Sequence, residues 1–247
     1  MFGLFKKKGA SNAGLSFDVI GVDMHSHVLP GIDDGAQDVS QSIELIRAMM
    51  DVGIRKIIAT PHIMADYYRN TPETINNALA VLKDELVKQG INIPVQAAAE
   101  YFCDESFVAK LDKEKLLSFG EEDYLLFEFS FMTMPPDFNH TLRKMRDAGY
   151  QPILAHPERY GYFTVEKCAE LRDSGCLMQV NTTSLTGYHG KEVKKFAEEL
   201  IDELVVDFIS SDMHHLKHAE AFKDALSLPY VRRLLTEYPL LQNTSLL

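Results

Sequence analysis

Cysteine is scarce in this chain: its 247 residues hold three, Cys103, Cys168 and Cys176. Their number is odd and no pair has C-x-x-C spacing, which argues against a disulfide framework and fits a reducing cytosol. Positive charge is also short, with 25 Lys and Arg against 36 Asp and Glu, a net of -11. The only basic block is Lys6-Lys7-Lys8, so nucleic acid is a poor candidate for the main partner. No apolar run approaches the ~20 residues of a membrane-spanning helix. No apolar h-region follows the N-terminal lysines, so they do not read as a secretory signal. A cytoplasmic protein without a transmembrane segment is the expectation. Residues 1–16 are expected to form a flexible tail, in which Phe2, Leu4 and Phe5 beside the lysines leave some scope for membrane-surface contact. Residues 17–247 are expected to form one domain with a substantial core.

What the sequence does have is concentrated first in Gly21-Val-Asp-Met-His-Ser-His-Val-Leu-Pro-Gly-Ile-Asp-Asp-Gly35. Residues 19–22 read as a short buried strand. His25 and His27 follow two apart, a spacing that points both rings to one side of an extended backbone. Asp33-Asp34-Gly35 adds carboxylates in a glycine-permitted turn. An H-x-H pair alone is a weak metal signal, and its partners elsewhere decide it.

Strand-like and helix-like runs alternate through the rest of the chain. Strands are expected at 55–60, 94–99, 123–127, 151–155, 177–180 and 205–210. Apolar spacing places helices at 39–52, 72–89, 106–117, 138–148, 165–174, 192–204 and 219–238, several of them stopped by glycine. With the first strand that makes seven, each followed by helical sequence, which predicts an α/β fold with a closed parallel sheet inside helices. In such a barrel the strand C-termini converge on one rim. The residues delivered there are His25, His27, Asp34, His62, Glu100, Glu128, His156, Asp212 and His214. Five imidazoles and four carboxylates are too many for one zinc site, so a multinuclear centre is the economical reading. Without thiolate, the donor set suits manganese, iron, magnesium or zinc, unranked.

Asp23-Met-His-Ser-His27, Asp33-Asp-Gly35, Ala99-Glu100-Tyr101, Glu128-Phe-Ser130, His156-Pro-Glu-Arg-Tyr160 and Ser211-Asp-Met-His214 occur in an order and at spacings that resemble the PHP (polymerase and histidinol phosphatase) family. Within it, the chain resembles the manganese-dependent protein-tyrosine phosphatases of bacterial capsule and exopolysaccharide clusters, over roughly residues 19–226. The resemblance implies a distorted TIM-like (β/α)7 barrel and three divalent metal ions. It implies His25, His27, Glu100 and Asp212 at a first metal, Glu128 and His156 joining Glu100 at a second, and Asp34, His62 and His214 at a third. Arg159 matches the arginine expected to grip the substrate phosphate. A second arginine is expected after Ser-Asp-Met-His, but here the chain reads His215-Leu-Lys-His218. Either Arg69 or Lys217 substitutes, or fewer side chains hold the phosphate. The implied partner is a tyrosine-phosphorylated bacterial kinase of the polysaccharide co-polymerase type. The alternative substrate is a small phosphomonoester such as histidinol phosphate.

The expected chemistry is attack by a metal-activated hydroxide on a phosphoryl group, with the metals and Arg159 offsetting its charge. A tyrosine phenol, with a pKa near ~10, is already a fair leaving group; if a general acid is needed, His214 is the candidate. The cysteine route is excluded, because no cysteine is followed six positions later by arginine. Among the remaining polar residues, Asp33 is expected to form the turn and Glu158 to orient Arg159 by an ion pair. Asn181 could shape the cleft or only satisfy backbone. His140, His189, His215 and His218 are expected on the surface.

Overall fold

The computed structural model describes residues 14–247, so the expected tail, apart from its last three residues, lies outside the described residues. Its strands are β1 (Val22–Asp23), β2 (Lys56–Ala59), β3 (His62–Ile63), β4 (Val95–Ala97), β5 (Glu100–Phe102), β6 (Tyr124–Glu128), β7 (Gln151–Ala155), β8 (Leu177–Asn181) and β9 (Phe208–Ser210). The helices are α1 (Val39–Asp51), α2 (Pro72–Lys88), α3 (Glu105–Leu111), α4 (Phe138–Asp147), α5 (Val165–Asp173), α6 (Lys191–Asp202), α7 (Leu216–Ala225) and α8 (Pro229–Thr236). All strand pairs are parallel, in one sheet ordered β1-β2-β4 and another ordered β3-β5-β6-β7-β8-β9.

The α/β alternation is as expected, but the closed seven-stranded barrel is corrected. The expected strands 55–60 and 94–99 are each followed by a further short strand, β3 and β5, that belongs to the other sheet. Pro61 has no N–H for a ladder and separates β2 from β3. Across the same break Ala98 N donates to the Ala59 carbonyl at 2.8 Å and Glu100 N to the Pro61 carbonyl at 3.1 Å, so β4 and β5 split in step. Between the two outer ends, a single parallel bridge pairs Ser26 with Met213. Asp212 turns into left-handed geometry at φ 51°, so extended pairing does not continue and no ladder closes the sheets.

Three other boundaries moved for local reasons. Gly21 adopts φ 68°, which delays β1 to Val22 and leaves Phe17–Val19 as a 3-10 turn. The N–H groups of Leu116 and Leu117 donate to the Tyr150 and Tyr101 hydroxyls, both at 2.8 Å, instead of extending α3. Pro229 forces Leu228 into extended geometry (φ -83°, ψ 141°), dividing the last expected helix into α7 and α8.

Helix starts follow their capping chemistry. The Asp38, Asp104 and Thr164 side chains accept from backbone N–H groups in the first turns of α1, α3 and α5. Thr71 and Thr74 cap α2 reciprocally ahead of Pro72. The apolar helix faces and the outer sheet faces form the main core, with Ile46, Leu82, Leu142, Leu171 and Leu200 all buried.

A second, smaller core lies on the inner faces and includes Val22, Ile58, Leu126, Ile153 and Phe208. Inner positions alternate along each strand. Along β6 they read Tyr124, Leu126, Glu128; along β8, Leu177, Gln179, Asn181; along β9, Phe208, Ser210. Apolar side chains fill the strand starts and polar ones gather at the C-terminal ends. Burying a large apolar side chain contributes about 1.5–3 kcal/mol, so the starts hold the sheets and the ends are left for chemistry.

Candidate metal centre

His25 and His27 follow β1, and their rings are oriented by what holds Nδ1. His25 Nδ1 lies 2.8 Å from Gln179 Oε1. Gln179 Nε2 donates to Asn181 Oδ1 at 2.8 Å, and Asn181 Nδ2 donates to Asp212 Oδ2 at 2.8 Å. That directional chain fixes the Gln179 oxygen toward His25 and so places the ring proton on Nδ1. His27 Nδ1 likewise faces Asp33 Oδ2 at 2.8 Å. Both Nε2 lone pairs therefore point inward, and they approach to 3.2 Å. Neutral rings in these tautomers have no hydrogen to share there; an added proton or a metal cation resolves the clash.

Asp33 is thus the expected turn former, since Oδ1 accepts from Gly35 N at 3.0 Å, and also the support of His27. Its Oδ2 accepts from His62 N at 3.2 Å. Gly35 is required because a Cβ there would collide with the backbone and Cβ of His27.

Around this pair the structure brings together all nine residues expected from sequence. They form four overlapping groups: His27, Asp34, His62 and His214; His25, His27 and Glu100; His25, His156 and Asp212; and His62, Glu100 and Glu128. Within each group the donor atoms lie within 4.8 Å of one another. Glu100 Oε2 sits 3.3 Å from His25 Nε2, 3.4 Å from His27 Nε2 and 3.1 Å from His62 Nδ1. Asp212 Oδ1 sits 3.3 Å from His25 Nε2 and 3.5 Å from His27 Nε2. His156 Nε2 lies 3.0 Å from Glu100 Oε1.

Proximity here is not pairing. Glu100 Oε2, Glu128 Oε1 and His62 Nδ1 are buried without an aligned hydrogen-bond partner among the described residues. Leaving such atoms bare costs about 1–3 kcal/mol each, so the donor set fits bound divalent cations. His156 and Asp212 also hold left-handed backbone, at φ 37° and φ 51°. Strain of this kind costs about 1–3 kcal/mol per residue and recurs at functional sites.

The electrostatics agree. Burial works against charge on His25, but Glu100 and Asp212 outweigh it and push the ring up to about 9. Burial would raise Glu100, yet His25 and His62 hold it well below the usual carboxylate range. Burial likewise opposes ionisation of Asp212, which His25 and His214 hold well below its ordinary value. A field that draws protons onto buried imidazoles also draws metal cations.

Arg159 ends the Pro157–Arg159 turn after β7. Its Nη1 lies 3.2 Å from Asp212 Oδ2 and its guanidinium 4.7 Å over the Phe131 ring. It opens onto a cavity of about 280 Å³ that reaches Asp34, His62, Asp212 and His214. His189, His215 and His218 also line it; for His189 and His218 this corrects their assignment as surface histidines. His218 is buried, with Nδ1 3.0 Å from the Asp212 carbonyl, and only His215 and His140 are exposed. Burial and the Arg159 charge push His189 down to about 4.

The expectation for Glu158 is also corrected. Glu158 makes no pair with Arg159; it is buried and accepts from Asn181 N at 2.9 Å and Ser184 Oγ at 2.7 Å. Arg69 is exposed, donates to the Ala65 carbonyl at 2.8 Å and lines a separate groove with Phe107 and Lys110. Lys217 faces α1 beside Gln41 and Glu44. Neither lines the cavity that holds Arg159.

Gln179 was missed, although a glutamine between Met178 and Val180 in an otherwise apolar strand was a visible signal. Asp23 was missed too. It accepts from Ser210 Oγ at 2.7 Å, Ser211 N at 2.7 Å and Ser211 Oγ at 3.0 Å, pinning the end of β9 beside His25. Its place two residues before His25 was the available clue.

The family model for capsular polysaccharide synthesis, CpsB/CapC, matches residues 21–233. The chain belongs to the CpsB/CapC family. The tyrosine-protein phosphatase YwqE of Bacillus subtilis is 35% identical over 198 residues, 79% of this chain and 78% of the relative. A putative tyrosine-protein phosphatase CapC of Staphylococcus aureus is 31% identical over 79% and 77% of the two chains. A solved structure from work on YwqE of B. subtilis and CpsB of Streptococcus pneumoniae, described as unique metal-dependent tyrosine phosphatases, superposes with a TM-score of 0.78 at 32% identity. That match covers 88% of this chain and 89% of the other. A histidinol phosphate phosphatase of Lactococcus lactis shares the fold, with a TM-score of 0.50 at 13% identity. No helix among the described residues is long and apolar enough to cross a membrane.

Proposed function

We propose that this chain is a divalent-metal-dependent protein-tyrosine phosphatase whose substrate is a tyrosine-phosphorylated kinase of capsular or exopolysaccharide synthesis. The observation that carries the site is the pair of inward Nε2 lone pairs of His25 and His27, 3.2 Å apart and fixed by protons on Nδ1. Membership of the CpsB/CapC family and likeness to tyrosine phosphatases carry the substrate class. Two parallel sheets around a shared inner core support a distorted TIM-like architecture of the PHP type.

In this reading His25, His27, Glu100 and Asp212 hold one cation, Glu100, Glu128 and His156 a second, and Asp34, His62 and His214 a third. Manganese is the proposed metal and the cytoplasm the proposed location. Divalent ions there supply Lewis acidity and bring the pKa of a water toward neutrality.

The protein's own side chains supply the rest. Gln179 and Asp33 keep His25 and His27 in the liganding tautomer. Arg159 keeps N–H groups beyond the Nη1 that meets Asp212 and offers them to phosphoryl oxygens, which a lysine would reproduce poorly. Phe131, 47% exposed beneath that guanidinium, presents an aromatic face for the tyrosyl ring. His214 Nδ1 lies 2.9 Å from the Asp212 carbonyl, leaving Nε2 as a lone pair toward Asp34, so the tautomer suits a ligand better than a proton donor. A phenolate with a conjugate-acid pKa near ~10 leaves without a dedicated acid.

The test is release of phosphate from a tyrosine-phosphorylated peptide by metal-stripped protein reconstituted with manganese, with histidinol phosphate and Arg159→Ala as controls. Manganese-dependent release from the peptide, reduced about 100-fold or more in the variant, is the expected result. Preference for histidinol phosphate would transfer the site to small phosphomonoesters.

A further inference from the structure

A phosphoryl dianion beside the metal cluster meets one guanidinium, and Asp212 at 3.2 Å already offsets part of its charge. Arg69 and Lys217 line other grooves. The remaining polar groups of the cavity are imidazoles, and most are committed. His62 and His214 face the metal cluster. His218 Nδ1 is directed at the Asp212 carbonyl, and His215 is exposed at the start of α7. His189 differs: it lines the cavity that contains Arg159, and its Nε2 is buried without a hydrogen-bond partner among the described residues.

The loop that presents His189 is built. Gly187 and Gly190 bracket Tyr188 and His189 in left-handed geometry, at φ 86° and φ 104°, and Gly190 N donates to the Gly187 carbonyl at 2.9 Å. The Tyr188 ring stands edge-on to His189 and to His218, with centroids 5.1 and 4.8 Å away. The 3-10 turn Thr182–Thr186 leads into this loop, and Ser184 in it donates to Glu158 Oε1 at 2.7 Å. Glu158 is the neighbour of Arg159 in sequence. One buried carboxylate therefore ties the turn before His189 to the turn that carries Arg159.

We propose that His189 is a second substrate-binding residue, its Nε2–H donating to a non-bridging oxygen of the phosphoryl group that Arg159 holds. This rests on the phosphatase reading of the site but concerns an anion contact that can be measured without turnover. A neutral imidazole adds a directed donor without adding a charge that would repel the clustered cations.

The test uses the manganese-reconstituted full chain and inorganic phosphate as probe, titrated calorimetrically into wild type, His189→Phe and His189→Gln. Phenylalanine keeps the ring and its packing but loses the donor; glutamine can place an amide N–H near the position of Nε2. The expected result is phosphate affinity weakened about tenfold or more in His189→Phe, largely restored in His189→Gln, with manganese content unchanged in both. Equal affinity in wild type and His189→Phe overturns the proposal, as does a loss in His189→Gln as large as in His189→Phe. A wild type that binds no phosphate also overturns it. A wild type that binds phosphate through His189 yet hydrolyses no phosphotyrosyl peptide would retire the proposed function while leaving this contact standing.

Discussion

Asp207 and Asp212 flank the two ends of β9, both are buried, and their surroundings could hardly differ more. Asp207 precedes the strand and is fully supplied with donors. Arg172 Nε and Nη2 approach its Oδ1 at 3.0 and 2.9 Å, Met178 N its Oδ2 at 3.0 Å, and Gln242 Nε2 its Oδ1 at 3.2 Å. Asp212 follows the strand in left-handed backbone, and its Oδ1 faces the inward nitrogens of His25 and His27. A saturated buried carboxylate fixes structure. One that shares its space with other lone pairs awaits a cation, and the same strand supports both because its two ends open on different environments.

Substitution of the two aspartates should separate these roles. Asp212→Asn is expected to lower manganese-dependent phosphatase turnover by about 1,000-fold or more while lowering the denaturation midpoint of the chelated protein less than Asp207→Asn does. Asp207→Asn should do the reverse, costing about 3–5 kcal/mol of stability with manganese content per folded chain unchanged. Turnover assays, metal analysis and denaturant titration check both. Similar losses of stability in the two variants would erase the contrast.

A smaller effect is expected from Gln179→Leu, which removes the acceptor that fixes the His25 tautomer. Manganese affinity should fall about 10–100-fold, measured by competition with a metal indicator, while the fold persists.

The smallest expected effect is a pH trend. His25 is pushed up to about 9 by Glu100 and Asp212 against the opposing effect of burial, and His27 is raised as well, chiefly by Asp33. In the metal-free protein the stability from these charged rings is fully present below the unfolded value near ~6.5. It is lost as pH rises through about 9. Glu100 and Asp212 are lowered, so their contribution is present above the ordinary carboxylate range and lost in acid. Manganese competes with the same protons. The rise in Tm on adding manganese should therefore grow from pH 6 to pH 9; a rise that stays flat or shrinks would show that these rings are not where the metal binds.

Much of this was legible in the sequence, because strand-end residues are readable once the alternation of elements is. His62, Glu100, His156 and Asp212 each follow or end an apolar run, and the structure gathers them with the other expected donors. The strand count was not legible: Pro61 separates β2 from β3, and the matching break between β4 and β5 depends on pairing across the sheet. Glu158 beside Arg159 invited an ion pair, whereas burial turned its carboxylate toward Ser184 and Asn181. His189 looked like a surface loop residue because its position depends on a glycine-bracketed turn anchored to Glu158.

The most direct test of the central claim is anomalous diffraction from crystals of the chain grown with manganese, recorded at the manganese edge. The account predicts three peaks, one beside His25 and His27, one between Glu128 and His156, and one among Asp34, His62 and His214. Ordered manganese elsewhere, with no peak among these side chains, would contradict it.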